Sequence, residues 1–388
     1  MTRTQFGLAL GVNGLGWDPA AGGGAGAADP AFWSRTAIAA EAAGFDVLTF
    51  EDAPALAAGS GQPARLDSFS LASWLAPQTS RIGLVPAGTT ALQEPFHVAT
   101  ATQTLDFASL GRAGLRLRIG LAEEEFAAYG KEGFGRIEEI NALPEAERDA
   151  VLRRPFDEAL EFAQIVRLLW DSWQDDAEIR DVATGRFLDA DRIHNPEFRG
   201  RFLSVHGASI TPRSPQGQPP VFALAHQRIP YEFAAATADV AFITPFDDAD
   251  LDARRAEALA AIDRTGRTGQ PLQLWADIAV SLTGDRGAAA PTALDTGVYA
   301  SSAAELVDRI LAWRERGIEG IRLRPLDTER DLERLAEEVL PALREAGAAP
   351  ASETGTLRDR LGLPEAANRF TGEAPFTAAF NAPEEARA

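Results

Sequence analysis

The alternation of short apolar runs with amphipathic stretches constrains this chain more than any other feature. Apolar runs occur at 6–12, 45–50, 81–85, 112–119, 220–225, 240–243, 272–282 and 318–323. Between and after them lie stretches of helical periodicity at 30–43, 67–77, 95–109, 155–173, 231–236, 249–263, 303–316 and 328–346. The first helix carries its own boundary signals: Asp29 as cap, Pro30 at the first helical position and Gly44 as the stop. Strands that alternate with helices run parallel, because parallel neighbours need crossovers. Five or six such units satisfy an open sheet, whereas eight favour closure. The predicted fold class is α/β, a (β/α)8 TIM barrel.

No Gly/Pro/Ser-rich linker divides the eight units, so a single barrel domain is expected over 1–346. Two insertions interrupt it. One, at about 120–154, follows strand 4 and carries Glu123, Glu124 and Glu125 in a row; the other, at about 175–218, precedes strand 5 and reads as hairpin-bearing. A Gly/Ala-rich loop at 20–28 follows strand 1. Loops that follow strands sit at the C-terminal mouth of a barrel, where active sites are built. The tail, 347–388, with a helical patch at 356–361, is expected to pack along the outside.

Composition removes several functions. The net charge of −20 repels phosphate backbones and anionic lipid, so no nucleic-acid partner and no membrane association are expected. There is no cysteine, which removes disulfides, thiolate nucleophiles and cysteine metal sites. His97, His194, His206 and His226 are too scattered to share a metal, so no metal is expected. The apolar run at 6–12 is short and followed by Asn13, which reads as a buried strand of a cytoplasmic protein.

Several motifs are distinctive. Trp170-Asp171-Ser172-Trp173 with Asp175-Asp176 ends the fourth helix; Ser214-Pro215-Gln216-Gly217-Gln218-Pro219 leads into strand 5; Thr356-Leu357-Arg358-Asp359-Arg360-Leu361-Gly362-Leu363 stands near the end. Glu41-Ala42-Ala43-Gly44-Phe45-Asp46, Thr79-Ser80-Arg81-Ile82-Gly83-Leu84 and Glu94-Pro95-Phe96-His97-Val98-Ala99 mark further junctions in the same order. Together these resemble the bacterial-luciferase-like flavin monooxygenases, in the branch of nitrilotriacetate monooxygenase, dibenzothiophene sulfone monooxygenase and the pristinamycin synthase oxygenase. The resemblance implies reduced FMN, supplied by a transient partner flavin reductase, and O2. A flavin peroxide then oxidises a small-molecule substrate. It also implies a homo-oligomer. A deazaflavin or nicotinamide hydride-transfer barrel is a further enzymatic reading, from which the motifs near Trp170 and Gly362 point away.

The resemblance also assigns residues. Asp52, after strand 2, would lie near the pyrimidine side of the flavin; from the residues alone it also reads as a loop cap before Pro54. Thr89 and Thr90 would bond the ring edge, or form a β-turn with Gly88. His97 would be catalytic, or a cap or packing residue. Leu105-Asp106 with Arg112 reads as an ion pair fixing the turn into strand 4.

Four positions depart from the family pattern. Arg116 stands where the family has Asn. Strand alternation puts Arg116 and Arg118 on one face, giving either an anion site or pairing with Glu51 or Asp52 across the mouth. Pairing would place protein in the flavin seat. Phe156 replaces a phosphate-binding Tyr. In the turn after strand 5, Gln227 replaces Ser, and Pro230, which has no N–H, replaces Gly. Arg228 could compensate with its fork of donors, and His226 if protonated. Two lost charge-assisted bonds, at roughly 1.5–3 kcal/mol each, would weaken FMN by about two to four decades. Two functions follow: an FMNH2-dependent monooxygenase, or a luciferase-like barrel that has lost flavin binding and acts as a non-catalytic binding or assembly subunit.

Overall fold

A computed structural model describes residues 6–14, 16–17, 26–56, 64–282, 295–348 and 354–371. Parallel strands form its centre: β1 (Gly7–Val12), β2 (Val47–Phe50), β3 (Gly83–Val85), β4 (Ala87–Thr89) and β5 (Leu115–Arg118). Two short antiparallel hairpins interrupt the series, β6 (Glu178–Asp181) with β7 (Arg186–Leu188), and β8 (Glu197–Arg199) with β9 (Ser204–His206). The parallel series resumes with β10 (Val221–Ala225), β11 (Val240–Ile243), β12 (Gln273–Ser281), β13 (Val298–Ala300) and β14 (Gly320–Pro325). The sheet order is β3-β2-β1-β14-β12-β11-β10-β5-β4, with β13 added beside β12. β3 and β4 are one barrel strand broken at Pro86, which has no N–H to give a ladder. Both halves meet β5, through the Leu84–Ala113 bridge and the Ala87–Arg116 register. The ring therefore closes, as the eight-unit rhythm predicts.

Helices cover the outside: α1 (Pro30–Ala43), α2 (Ser68–Leu75), α3 (Pro95–Ala108), α4 (Glu123–Ala127), α5 (Ile137–Ala142), α6 (Glu145–Trp170), α7 (Arg228–Thr237), α8 (Asp248–Thr265), α9 (Ala303–Glu315), α10 (Thr328–Arg334) and α11 (Leu340–Glu345). Asp29 caps α1 by accepting from the Ala31 N–H, and Gly44 ends it at φ 97°. α6 starts ten residues before the predicted Pro155. Proline in a helix interior loses the bond to the carbonyl four residues back and crowds that carbonyl, at about 3 kcal/mol, and the long apolar face of α6 outweighs that cost. The first insertion is thus α4, α5 and the start of α6.

The described part of the tail, 354–371, packs on the end of the barrel. Its short helix α12 (Leu357–Arg360) lies beneath the barrel: Leu357, Leu361 and Leu363 pack with Ala9, Val47, Phe222, Phe242 and Trp275. The Trp275 ring occupies the barrel axis between Gly7 and Gly320. A Cβ at either glycine would stand 2.0 and 2.4 Å from it. The motif segments converge at this closed end. Gln216 donates to Asp106 (2.6 Å) and to the Ala113 carbonyl (2.7 Å), and accepts from the Arg358 N–H (2.8 Å). The expected Asp106–Arg112 pair is replaced. Asp106 holds Gln216, while Arg112 donates to Thr79 and to the carbonyls of Ala76, Ile82 and Ser109. Residues 372–388 and most of the 20–28 loop lie outside the described residues.

Candidate functional site

The interior of the barrel changes character from bottom to mouth. Below are Trp275, Phe222 and Phe242. Above them the alternating positions of β5 and β14 supply Arg116, Arg322 and Arg324, all nearly inaccessible to solvent. Three unpaired guanidinium ions there would cost several kcal/mol each. They are met by three carboxylates. Arg116 Nη2 donates to Glu51 (2.8 Å) and to the Phe50 carbonyl (3.3 Å). Arg322 donates to the other Glu51 oxygen, to Asp277 (2.9 Å) and to the Thr49 hydroxyl (2.8 Å). Arg324 donates to the second Asp277 oxygen (2.9 Å) and to Asp295 (2.8 Å), and its guanidinium lies 4.8 Å from the Trp17 ring centroid. The result is a chain of alternating charge, Arg116–Glu51–Arg322–Asp277–Arg324–Asp295, running across the barrel and up to its mouth.

Register explains the arrangement. Ala9, Arg322 and Asp277 are neighbours on adjacent strands, so the central ion pair is a cross-strand pair. Burial alone would raise the Glu51 pKa, but the Arg116 and Arg322 charges more than reverse this and hold it below the usual carboxylate range. Asp295 is likewise lowered against its burial, chiefly by Arg324. Arg324 is lowered by burial yet raised further by Asp277 and Asp295, ending above its ordinary value. The chain joins three basic to three acidic side chains, so its formal charges cancel.

The sequence-predicted residues fall around this chain. Arg116 is inside the barrel but held by Glu51. Arg118, on the same face nearer the mouth, forms a bidentate pair with Glu125 of α4 and so ties the first insertion to the rim. Asp52 is half-buried and accepts from the Ser68 N–H (2.9 Å), capping the entry to α2. Thr89 and Thr90 are buried at the end of β4. The Thr89 N–H donates to Gln93, and the Thr90 hydroxyl has no partner among the described residues. Asp52 and Thr89 share the lining of a cavity of about 240 Å³ with Arg65 and Tyr129. His97 is exposed on the first turn of α3, beside Phe96.

At the end of β10, Gln227 precedes α7, and Arg228 is paired with Asp149 and Glu232. Phe156 does not approach this turn as a polar group: it packs edge-on against Phe233 in the core. His226 is not a cationic partner. Burial, reinforced by Arg254 and Arg324 and only partly offset by Asp295, lowers its pKa and leaves the imidazole neutral at neutral pH. His226 and Gln227 line a separate cleft of about 370 Å³ with Arg148, Arg254, Phe246 and Asp295. Among the described residues no His, Asp and Glu are grouped to hold a metal ion, and no helix is long and apolar enough to cross a membrane.

Sequence reasoning raised the Arg116–Glu51 pair as one of two alternatives but missed Arg322, Arg324, Asp277 and Asp295. The signal was present: Ile321-Arg322-Leu323-Arg324 repeats the pattern of Leu115-Arg116-Leu117-Arg118, and Asp277 interrupts an apolar strand.

A closed parallel barrel with charged residues at its C-terminal mouth is the scaffold of a large class of small-molecule enzymes and binding proteins. Comparison narrows the class. The chain matches the model of the luciferase-like monooxygenase family over residues 15–337 and belongs to that family. It is 36% identical over 178 residues to N-acetyl-S-(2-succino)cysteine monooxygenase of Bacillus subtilis (46% of this chain, 37% of that protein). It is 30% identical over 220 residues to nitrilotriacetate monooxygenase component A of Aminobacter aminovorans (56% and 45%). The aligned stretches thus span less than half the length of these two relatives. The solved long-chain alkane monooxygenase matches with a TM-score of 0.77 at 19% identity, covering 93% of this chain and 96% of that one, a likeness of fold.

The family's flavin does not fit the described residues. Arg116 stands where the resemblance puts an Asn, and it is bonded to Glu51. Pro230 has no N–H for a phosphate, the Phe156 ring has no hydroxyl, and Arg228 is taken by two carboxylates. The cavities beside Asp52 and beside His226 share no lining residue.

Proposed function

We propose that this chain is a luciferase-like barrel that has lost the flavin seat and serves as a non-catalytic binding or assembly subunit. The observation that carries this reading is the Arg116–Glu51–Arg322–Asp277–Arg324–Asp295 chain. Inserting a flat neutral ring would separate at least Glu51 from Arg116. Arg116 would be left buried without a counter-charge, at about 3–5 kcal/mol for a broken pair, while Glu51 would keep Arg322. That cost would weaken binding of the ring by about two to four decades. Fluorescence titration of FMN, repeated anaerobically with reduced FMN, tests the reading. A colourless protein that neither quenches FMN nor perturbs the reduced spectrum is expected; saturable binding at micromolar concentration overturns it.

A second reading keeps the family chemistry: reduced FMN from a separate reductase, O2 and a small organic substrate. It is favoured by the buried hydroxyls of Thr90 and Thr244, neither of which has a hydrogen-bond partner among the described residues. Under this reading the same titration saturates.

A further inference from the structure

The cleft beside His226 holds polar groups that its own walls leave unsatisfied. Arg148, from the first turn of α6, lines the cleft, and its buried Nε has no partner among the described residues. Arg254 is already bonded to Asp250 (2.7 Å) and to the His226 carbonyl (2.9 Å). Asp295 is paired with Arg324. Among the described residues Arg148 is therefore the one charged group lining the cleft that has no ion-pair partner. Among the described residues the cleft's other buried groups without partners are neutral, the Nδ1 of His226 and the Oε1 of Gln227; Asp295 turns one oxygen to Arg324, and Asn141 completes the lining. The Oε1 of Gln227 can only accept. An occupant must therefore offer a donor to Gln227 as well as an anion to Arg148. A volume of about 370 Å³ suits a small organic molecule and lies at the small end of ligand sites. The side of Phe246 supplies an apolar wall, with Arg254 stacked 5.5 Å from its ring centroid.

We infer that this cleft binds a small carboxylate bearing a hydroxyl or amino donor beside the carboxyl group, with Arg148 holding the carboxylate and Gln227 the donor. This rests on the reading that the barrel is a binding subunit, and it names the ligand chemistry. Arg148 belongs to the insertion, so the site is assembled only where α6 extends beyond Pro155.

Calorimetric titration of the full chain with L-lactate, propionate and inorganic phosphate tests it. Lactate is expected to bind saturably in the millimolar range, and propionate, which lacks the donor, about tenfold more weakly. Arg148→Gln should reduce lactate affinity at least tenfold. Arg153→Gln, one turn and a half further along the same helix and outside the cleft, should leave it unchanged. Circular dichroism and melting of both variants establish that they fold. Absence of lactate binding, equal binding of lactate and propionate, tighter binding of phosphate than lactate, or insensitivity to Arg148→Gln each overturns the inference. A parallel FMN arm separates it from the reading beneath. FMN binding with lactate binding intact refutes only the loss of flavin; lactate failure without FMN binding refutes only the ligand class.

Discussion

Glu51 is the hub of the buried charge chain, and replacing it by Gln is the most informative perturbation. Two arginines depend on it: Arg116, whose one carboxylate partner is Glu51 among the described residues, and Arg322, which retains Asp277. The variant leaves Arg116 buried without a counter-charge, at about 3–5 kcal/mol. With an unfolding entropy near 2.1 cal/mol/K per residue, a chain of 388 residues has about 0.8 kcal/mol/K, so 4 kcal/mol lowers Tm by about 5 °C. The pH dependence sharpens the test. The folded Glu51 pKa lies below its ordinary value of 4.5. Its contribution is therefore complete above that value and lost as the pH falls below it. Thermal melts of wild type and Glu51→Gln from pH 3 to 7 should differ by several degrees at neutral pH and converge on acidification. A neutral-pH difference below about 1 °C, or curves that stay parallel into acid, would refute the claim that Glu51 neutralises the barrel interior.

Other outcomes follow from the same geometry. Asp277→Asn removes the carboxylate shared by Arg322 and Arg324 and should destabilise by about 3–5 kcal/mol in urea titration. Gly7→Ala drives a Cβ into the Trp275 ring and should cost at least about 1–3 kcal/mol, with a changed tryptophan emission. Arg118→Ala strands the buried Glu125 and should speed proteolytic cleavage within 120–154 several-fold, leaving fragments elsewhere unchanged. Because burial lowers the His226 pKa, its NMR titration midpoint should fall below 6.5, and a midpoint above 7 would contradict the described surroundings.

The fold was legible because its signals are local. Asp29, Pro30 and Gly44 delimit α1 to the residue, and the run at 240–243 coincides with β11. The start of α6 was not legible, since proline's local preference is overridden by packing that only the folded chain supplies. The family motifs were readable for a similar reason, and they identify the family rather than the state of its site. Gln216, Asp106, Arg358 and Asp171 tie the tail to the closed end of the barrel, far from the mouth, so their presence reports the scaffold. The mouth departs from the family pattern, and alternation in β5 identified one half of its charge network. The other half needed the pairing of β1, β12 and β14, which brings Arg322 beside Asp277 across hundreds of intervening atoms and only 45 residues of sequence. Likewise, no local pattern marks Gln227 and Arg148 as neighbours.

The central claim is that the charge chain stands where the flavin ring would lie. A crystal structure of the protein soaked with a large excess of FMN tests it most directly. The account predicts Glu51 bonded to both Arg116 and Arg322, with no isoalloxazine between them; a ring seated in the mouth with that carboxylate displaced would contradict it.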